Sequence, residues 1–170
     1  MPIPVSLPLK IISFLGVLGK SFKPAGEGGG RRGLAVIRFS QEYFPSGSVF
    51  GINNAMEFMS LHFADRLTVI NPQGTIGVVT LWSRPDYVME RFRQAGVDLD
   101  PETSDIAVFG TLYGNGLREM LRNLLYNPQI QVLLICGNDR SGSYEELKNF
   151  FELGLEPMAG SLIRYKIRPI

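Results

Sequence analysis

Two turns in this sequence, each containing glycine, hold most of the polar groups that can bind a ligand. The first is GTLYGNG, residues 110–116, and the second is CGNDRSGS, residues 136–143. Each turn follows an apolar run that predicts a buried strand and precedes a pattern that predicts a helix. In open α/β sheets, ligands bind at the carboxyl ends of the strands. The two turns are therefore the predicted binding site.

The first turn does not have the spacing of the common phosphate-binding loops. Its glycines do not match G-x-G-x-x-G, and no Lys-Ser or Lys-Thr pair follows them. Free backbone N–H groups at the start of the next helix favour an anion or an amide, whereas a tight turn alone also explains the glycines. Both interpretations stay open. The residues of this turn that we assign to ligand binding are Gly110, Tyr113, Gly114, Asn115 and Gly116.

The second turn carries a carboxylate, an amide and two hydroxyl groups. Asp139 and the hydroxyl groups can hold a sugar, a pterin ring or a metal-bound water. Ser143 and Glu146 form the pattern S-x-x-E, which predicts a capping box on the next helix and leaves Asp139 free for a ligand. The residues of this turn that we assign to ligand binding are Gly137, Asn138, Asp139, Ser141 and Ser143.

Three further residue types limit the chemistry. Trp82 ends an apolar run at the same predicted edge, where it is either a stacking wall for a planar ligand or, as the favoured alternative, part of the core. Cys136 and Asp139 are the candidates for a nucleophile and an acid–base group, although a cysteine in an apolar run is more often a core residue. With one cysteine and one histidine, His62, the chain has no intrachain disulfide and no multi-histidine metal site. We predict no metal and a reducing, cytoplasmic location.

The charge balance and the first 20 residues limit the partners. Seventeen basic and sixteen acidic residues leave a net charge of +1, so we predict no nucleic acid partner. The apolar run at residues 9–18 is broken by Lys10 and Ser13 and is too short to span a membrane. A segment docked on the domain, or a surface that another chain covers, is favoured over a weak interfacial anchor.

The order of the predicted elements indicates an α/β fold. Residues 1–33 are an apolar N-terminal extension with a glycine-rich linker, and residues 34–170 are a single domain. Strands that alternate with helices predict a three-layer, Rossmann-like domain with a mainly parallel sheet. The predicted strands are 34–39, 67–70, 75–82, 106–110, 131–137 and, at an edge, 161–167; the turn 71–74 joins the second and third as a hairpin or bent edge. The predicted helices are 53–65, a helix from the N-cap Ser83 to Gly96 with Pro85 in its first turn, 114–126 and 144–153.

The run from TIGVVTLW through IAVFGTLYGNGLREMLRNLLYNPQIQVLLICGNDRSGS, followed by a helix and GLEP, resembles the corrinoid-carrying soluble domain of tetrahydromethanopterin S-methyltransferase. The segments LYGNGLR and NPQI are also similar to the domain found ahead of thymidylate synthase-like catalytic domains. In the methyltransferase family a histidine ligates the cobalt of a corrinoid, and its position corresponds to Ser143. A serine hydroxyl is a poor cobalt ligand, so the comparison predicts no cobalamin. The resemblance covers about residues 67–157.

The resemblance implies a setting in pyrimidine-nucleotide or one-carbon metabolism. The leading hypothesis is a non-catalytic ligand-binding or accessory domain that holds a nucleotide or a pterin or folate between Trp82 and the two turns. The alternative is a structural module that pairs subunits through the N-terminal apolar segment. A third hypothesis is a nucleotide- or folate-dependent transferase, either a methyltransferase or a thymidylate synthase-like enzyme. The expected partners are a small molecule and either a second copy of the chain or a thymidylate synthase-like domain.

Overall fold

The computed structural model describes residues 31–38, 56–157 and 163–165. The helices are α1 (Pro85–Gln94), α2 (Leu117–Tyr126) and α3 (Ser143–Leu153). The strands are β1 (Arg31–Arg38), β2 (Leu67–Val69), β3 (Ile76–Val79), β4 (Ile106–Gly110), β5 (Val132–Asp139), β6 (Leu155–Pro157) and β7 (Ile163–Tyr165), and a short 3-10 turn (Ala64–Arg66) precedes β2.

A five-stranded sheet forms the centre of the fold, with the strand order β1-β5-β3-β4-β2. The three inner strands β5, β3 and β4 are parallel. At the edges, β1 runs antiparallel to β5 and β2 runs antiparallel to β4. The predicted α/β class is therefore confirmed, but the sheet is mixed. Two antiparallel edge strands flank the three parallel ones, which is a common arrangement in large sheets.

Apolar side chains pack on both faces of this sheet. Val88 and Phe92 of α1 share one buried cluster with Phe109 of β4. Leu117 of α2 and Leu147 of α3 belong to a second buried cluster. Adjacent residues of β5 from Val132 to Cys136 alternate between these clusters, because successive side chains of a strand point to opposite faces. The carboxyl ends of β3, β4 and β5 thus lie along one edge, with a helix starting after each.

The predicted hairpin between residues 67–70 and 75–82 is wrong. The turn exists, since the Gly74 N–H donates to the Asn71 carbonyl over 2.9 Å. However, β2 pairs with β4, while β3 lies on the other side of β4. The backbone N–H groups of Ile70 and Thr75 donate to residues 107 and 105, so the chain crosses beneath the start of β4. The Asn71–Gly74 sequence therefore predicts the turn correctly, but it does not predict which strand β2 pairs with.

The start of α1 also differs from the prediction. Pro85 is in the first turn as expected, but the N-cap is Arg84, with no side-chain capping bond. The hydroxyl of Ser83 instead accepts the Asn138 N–H over 3.0 Å. Ser83 therefore ties the end of β5 to the β3–α1 connection.

The terminal elements shift the predicted boundaries. β1 begins at Arg31, so residues 31–33 belong to the strand and not to the linker. β7 pairs with β6 in a separate two-stranded sheet, and not with the edge of the main sheet as predicted for residues 161–167. The apolar run at residues 9–18 lies outside the described residues, as does the pairing module built on it. Among the helices that the structure describes, none combines the length and hydropathy needed to cross a bilayer.

Candidate functional site

The carboxylate of Asp139 caps α3. Its Oδ1 accepts the N–H groups of Ser141, Gly142 and Ser143 over 3.0–3.2 Å, and its Oδ2 accepts the Tyr144 N–H over 3.1 Å. An anion at a helix N-terminus is stabilised by the helix dipole. The predicted capping box is therefore wrong: Gly142 is the N-cap, with φ 78°, and Ser143 is already helical. Both oxygens of Asp139 are engaged, which opposes a role for Asp139 in acid–base chemistry or ligand binding.

The hydroxyl of Ser141 joins the turns after β3, β4 and β5. It accepts the indole N–H of Trp82 over 2.9 Å and, more weakly, the Gly114 N–H over 3.4 Å. It also lies 2.7 Å from the Ser143 hydroxyl. The structure thus brings the predicted turns together at one edge of the sheet, as the strand order requires.

The side chain of Trp82 lies on the surface and not in the core. It is 44% exposed, and its ring contacts that of Tyr113, with ring centroids 4.8 Å apart and planes tilted by 37°. The favoured core interpretation of Trp82 is therefore wrong. The indole has a polar end and an apolar face, and both have partners at this edge.

Cys136 is a core residue. The thiol side chain is 2% exposed and belongs to the same buried cluster as Phe92. Burial raises the pKa of the Cys136 thiol to about 12. Because the thiolate is the nucleophilic form, this environment opposes a catalytic role for the residue.

A cavity of about 400 Å³ lies between the sheet and α2. Val79, Val108 and Leu133 from the three parallel strands line it, and Met120 and Leu124 face it from α2. Its lining is mainly apolar. The polar and charged side chains in the lining are those of Arg66, Thr111, Tyr113, Asn115, Glu119 and Asn123.

Two glycines on the strands make room for this cavity. A Cβ on Gly77 would come within 3.0 Å of the Leu133 side chain, and one on Gly110 within 2.7 Å of the Leu67 side chain. All four residues line the cavity. Side chains at either glycine would occupy space that is now open or displace a wall residue. Gly110 is among the predicted site residues, whereas Gly77 is not.

A further part of the lining, Phe58 and Phe63, comes from residues 56–63, which Asn123 and Asn127 hold in place. Asn127 is 1% exposed; its amide accepts the Met59 N–H and donates to the Met59 carbonyl, both over 2.8 Å. Asn123 accepts the N–H groups of Leu61 and His62. These bonds replace helical ones, so the helix predicted over residues 53–65 is wrong in its described part, where only Ala64–Arg66 form a 3-10 turn.

The predicted site residues divide into two groups. Gly110, Tyr113, Asn115 and Gly116 line the cavity. The others belong to the network around Ser141. Trp82, Gly114 and Ser143 are hydrogen-bonded to its hydroxyl, and Asp139 accepts its backbone N–H. Gly137 and Asn138 lie against Ser83 in the adjoining connection. Tyr113 belongs to both groups, because it lines the cavity and contacts Trp82. The cavity residues that were not predicted from the sequence come mainly from residues 58–67 and from α2. The one local sequence feature that pointed to them is the four-residue spacing of Asn123 and Asn127, which places two amide side chains on one helix face.

No protein-family model, curated protein or solved structure matches the chain. The resemblance to the methyltransferase and thymidylate synthase-associated domains therefore stays a prediction. Ser143 does not fit a corrinoid ligand, since its side chain is buried and hydrogen-bonded to Ser141. Across the described ranges, no group of three or more His, Cys, Asp or Glu side chains could hold a metal ion.

The pKa of Glu146 gives a first prediction. Burial and, after it, the charge of Asp139 raise this pKa above the ordinary 4.5. The folded chain therefore holds this proton more tightly than the unfolded chain does, and the resulting stability is lost as pH rises through the raised pKa. We expect Glu146→Gln to raise the thermal unfolding midpoint at about pH 7 and to leave it unchanged at about pH 3. Glu145→Gln, in the same helical turn, is the charge-matched control; a lowered midpoint for Glu146→Gln at neutral pH would contradict the prediction.

Proposed function

We propose that this chain is a non-catalytic ligand-binding or accessory domain that holds a planar metabolite in the cavity between the sheet and α2. The cavity is the observation that carries the proposal. Its volume of about 400 Å³ lies within the range of small-molecule sites, roughly 300–1,000 Å³. Apolar walls with a few polar groups are the usual composition of such sites.

The lining favours a flat ring with hydrogen-bonding edges. Val79 and Val108 offer an apolar surface on the sheet, and Met120 offers a second one on α2. Asn115 and Glu119 make no hydrogen bond to another described residue through their side chains, so they remain available to the edge of a ligand. A nucleobase or a reduced pterin has this combination of apolar faces and polar edges.

The lining carries one positive charge, Arg66, and one negative charge, Glu119, and the guanidinium group of Arg66 can bind an anionic group of a ligand. Arg66 lines the cavity and lies 5.2 Å from the centroid of the Phe63 ring. Its ion pair with Asp65 is long, at 3.9 Å, and exposed, so it contributes little to holding the guanidinium group. A nucleotide phosphate or the carboxylates of a folate would supply the complementary charge.

Two observations support binding over catalysis. The Cys136 thiol is buried with a pKa of about 12, and the Asp139 carboxylate is fully engaged as a helix cap. The enzyme hypothesis loses both of its candidate groups. A three-layer, Rossmann-like arrangement, a cytoplasmic location and a link to pyrimidine-nucleotide or one-carbon metabolism complete the proposal; the last rests on the resemblance over residues 67–157.

Titration calorimetry tests this proposal on the whole chain. The panel is a pyrimidine nucleoside monophosphate, a tetrahydropterin and a tetrahydrofolate. We expect saturable binding of one member, and we expect Asn115→Ala to weaken it about tenfold through the loss of a hydrogen bond to the ligand. Asn138→Ala is the matched control, because Asn138 is exposed, lies on the other turn and does not line the cavity.

The outcomes separate the two turns. No heat with any member of the panel would overturn the proposal. Weakened binding in Asn138→Ala, with unchanged binding in Asn115→Ala, would move the site to the turn after β5.

A further inference from the structure

Asn115 and Gly116 form an asparagine–glycine pair in the turn between β4 and α2. Asn115 is the one asparagine of the sequence that precedes a glycine. Its side chain is exposed, lines the cavity and makes no hydrogen bond to another described residue. Asparagine is a thermolabile residue, and a following glycine, which has no Cβ, lets the backbone approach its amide most closely. The pair is therefore where this chain is most open to modification without an enzyme.

The backbone nitrogen of Gly116 is available for this reaction. Its N–H donates to the Tyr113 carbonyl over 3.4 Å, which is beyond the usual length of an N–H···O bond. Gly116 is also the N-cap of α2, so its N–H takes no part in the helical hydrogen bonds. Neither the side chain of Asn115 nor the nitrogen that follows it is held by a strong bond.

The other described asparagines each lack one of these features. Asn71 and Asn127 precede prolines, whose nitrogen carries no hydrogen and cannot form a second ring. Asn123 and Asn149 are buried within α2 and α3. Asn138 is exposed, but it lies on β5, whose backbone pairs with β1, and the residue after it has a side chain. Asn138 is therefore an internal comparison for Asn115.

We propose that Asn115 deamidates by cyclisation onto Gly116 in the folded chain, and that the reaction places a new carboxylate in the cavity lining. Solvent base removes the proton of the Gly116 nitrogen, which attacks the side-chain Cγ of Asn115. A bond forms between these two atoms, the bond from Cγ to the amide nitrogen breaks, and ammonia leaves with a proton from solvent. One water molecule then opens the succinimide at either carbonyl, which gives aspartate or isoaspartate at position 115.

The product changes the charge of the cavity. Arg66 and Glu119 supply one positive and one negative charge to the lining. A second carboxylate makes the lining net negative, which opposes the binding of an anionic ligand. This consequence rests on the proposed function, whereas the reaction itself needs no ligand.

Peptide mapping of the whole chain tests the proposal. The folded chain and the chain in urea are incubated at the same mildly alkaline pH and digested with trypsin at intervals. The tryptic peptide of residues 94–118 contains Asn115 as its one asparagine, so the mass gain from amide to acid is assigned directly. A protein isoaspartate methyltransferase detects the isoaspartate. We expect the folded chain to react within about tenfold of the rate in urea, and Asn138 in the folded chain to stay unmodified over the same period.

Gly116→Ala is the matched variant. A Cβ at this position meets the Tyr113 carbonyl oxygen at 3.4 Å and the Leu112 side chain at 3.5 Å, which are ordinary contacts, so the fold accommodates it. The added methyl group hinders the attack on Asn115, and we expect modification at position 115 to be at least about tenfold slower. Circular dichroism checks that the variant is folded.

Protection of Asn115 in the folded chain by more than about tenfold relative to urea would overturn the proposal. So would modification of Gly116→Ala at the wild-type rate, or the formation of aspartate with no isoaspartate, because either result means that water attacks the amide directly. These readouts require no ligand. A chain that deamidates as expected but gives no heat in calorimetry would remove the proposed function alone, so the two failures can be distinguished.

Discussion

Asp139→Ala is expected to lower the free energy of unfolding by about 3 kcal/mol, which is more than the roughly 0.5–2 kcal/mol usual for the loss of a helix cap, because the lost hydrogen bonds are charge-assisted and one of the N–H groups is buried. The carboxylate of Asp139 receives four backbone N–H groups at the start of α3. Alanine leaves the buried Ser143 N–H without its acceptor. It also removes a negative charge from the positive end of the helix dipole. Urea denaturation followed by circular dichroism measures the loss.

Asp139→Asn separates charge from hydrogen bonding. The asparagine carbonyl accepts some of the same N–H groups but carries no charge, so about half of the loss is expected. Asp65→Ala is the control, because its carboxylate is exposed and its ion pair with Arg66 is long; a change within about 0.5 kcal/mol is expected there. Equal stability of wild type and Asp139→Ala would contradict the assignment of Asp139 as the cap.

The capping of α3 shows where local patterns suffice and where they do not. The S-x-x-E pattern at Ser143 and Glu146 is a genuine signal for a helix start, and α3 does begin at Ser143. The group that binds the free N–H groups, however, is a carboxylate four residues earlier in the chain. Gly142, with φ 78°, turns the chain so that Asp139 reaches these groups. The pattern predicts the place of the helix but not its cap.

The place of the candidate site could likewise be predicted from the sequence, but its detailed structure could not. Parallel strands align their carboxyl ends, so the turns after β4 and β5 had to meet at one edge. The cavity could not be predicted in this way, because it depends on contacts distant in sequence. The wall formed by residues 56–63 is held against α2 by Asn123 and Asn127, which bind its backbone from 61 to 68 residues away in the chain. The pairing of β2 with β4, and not with β3, has the same cause, since strand partners are chosen by the whole sheet.

Asn127 is the second residue whose loss should have a large effect. Its side chain is almost fully buried and makes bonds of 2.7–2.8 Å to the Met59 N–H, the Met59 carbonyl and the Asn123 carbonyl. We expect Asn127→Ala to destabilise the chain by about 3 kcal/mol, because buried polar groups lose their partners. The amide protons of Met59 and Leu61 should exchange faster than in wild type. Hydrogen exchange at these two residues, together with urea denaturation, tests both parts.

Asn127→Asp tests the direction of the hydrogen bonds. The Asn127 Nδ2 group donates to the carbonyls of Met59 and Asn123, and a carboxylate oxygen in its place would face two acceptors. We therefore expect Asn127→Asp to be less stable than Asn127→Ala at about pH 7 and to recover towards about pH 4, as the carboxyl gains a proton that it can donate. Asn138→Ala, an exposed amide, is the control and should match wild type. If Asn127→Asp were as stable as wild type at neutral pH, the amide would not be donating to these carbonyls, and the wall formed by residues 56–63 would need another anchor.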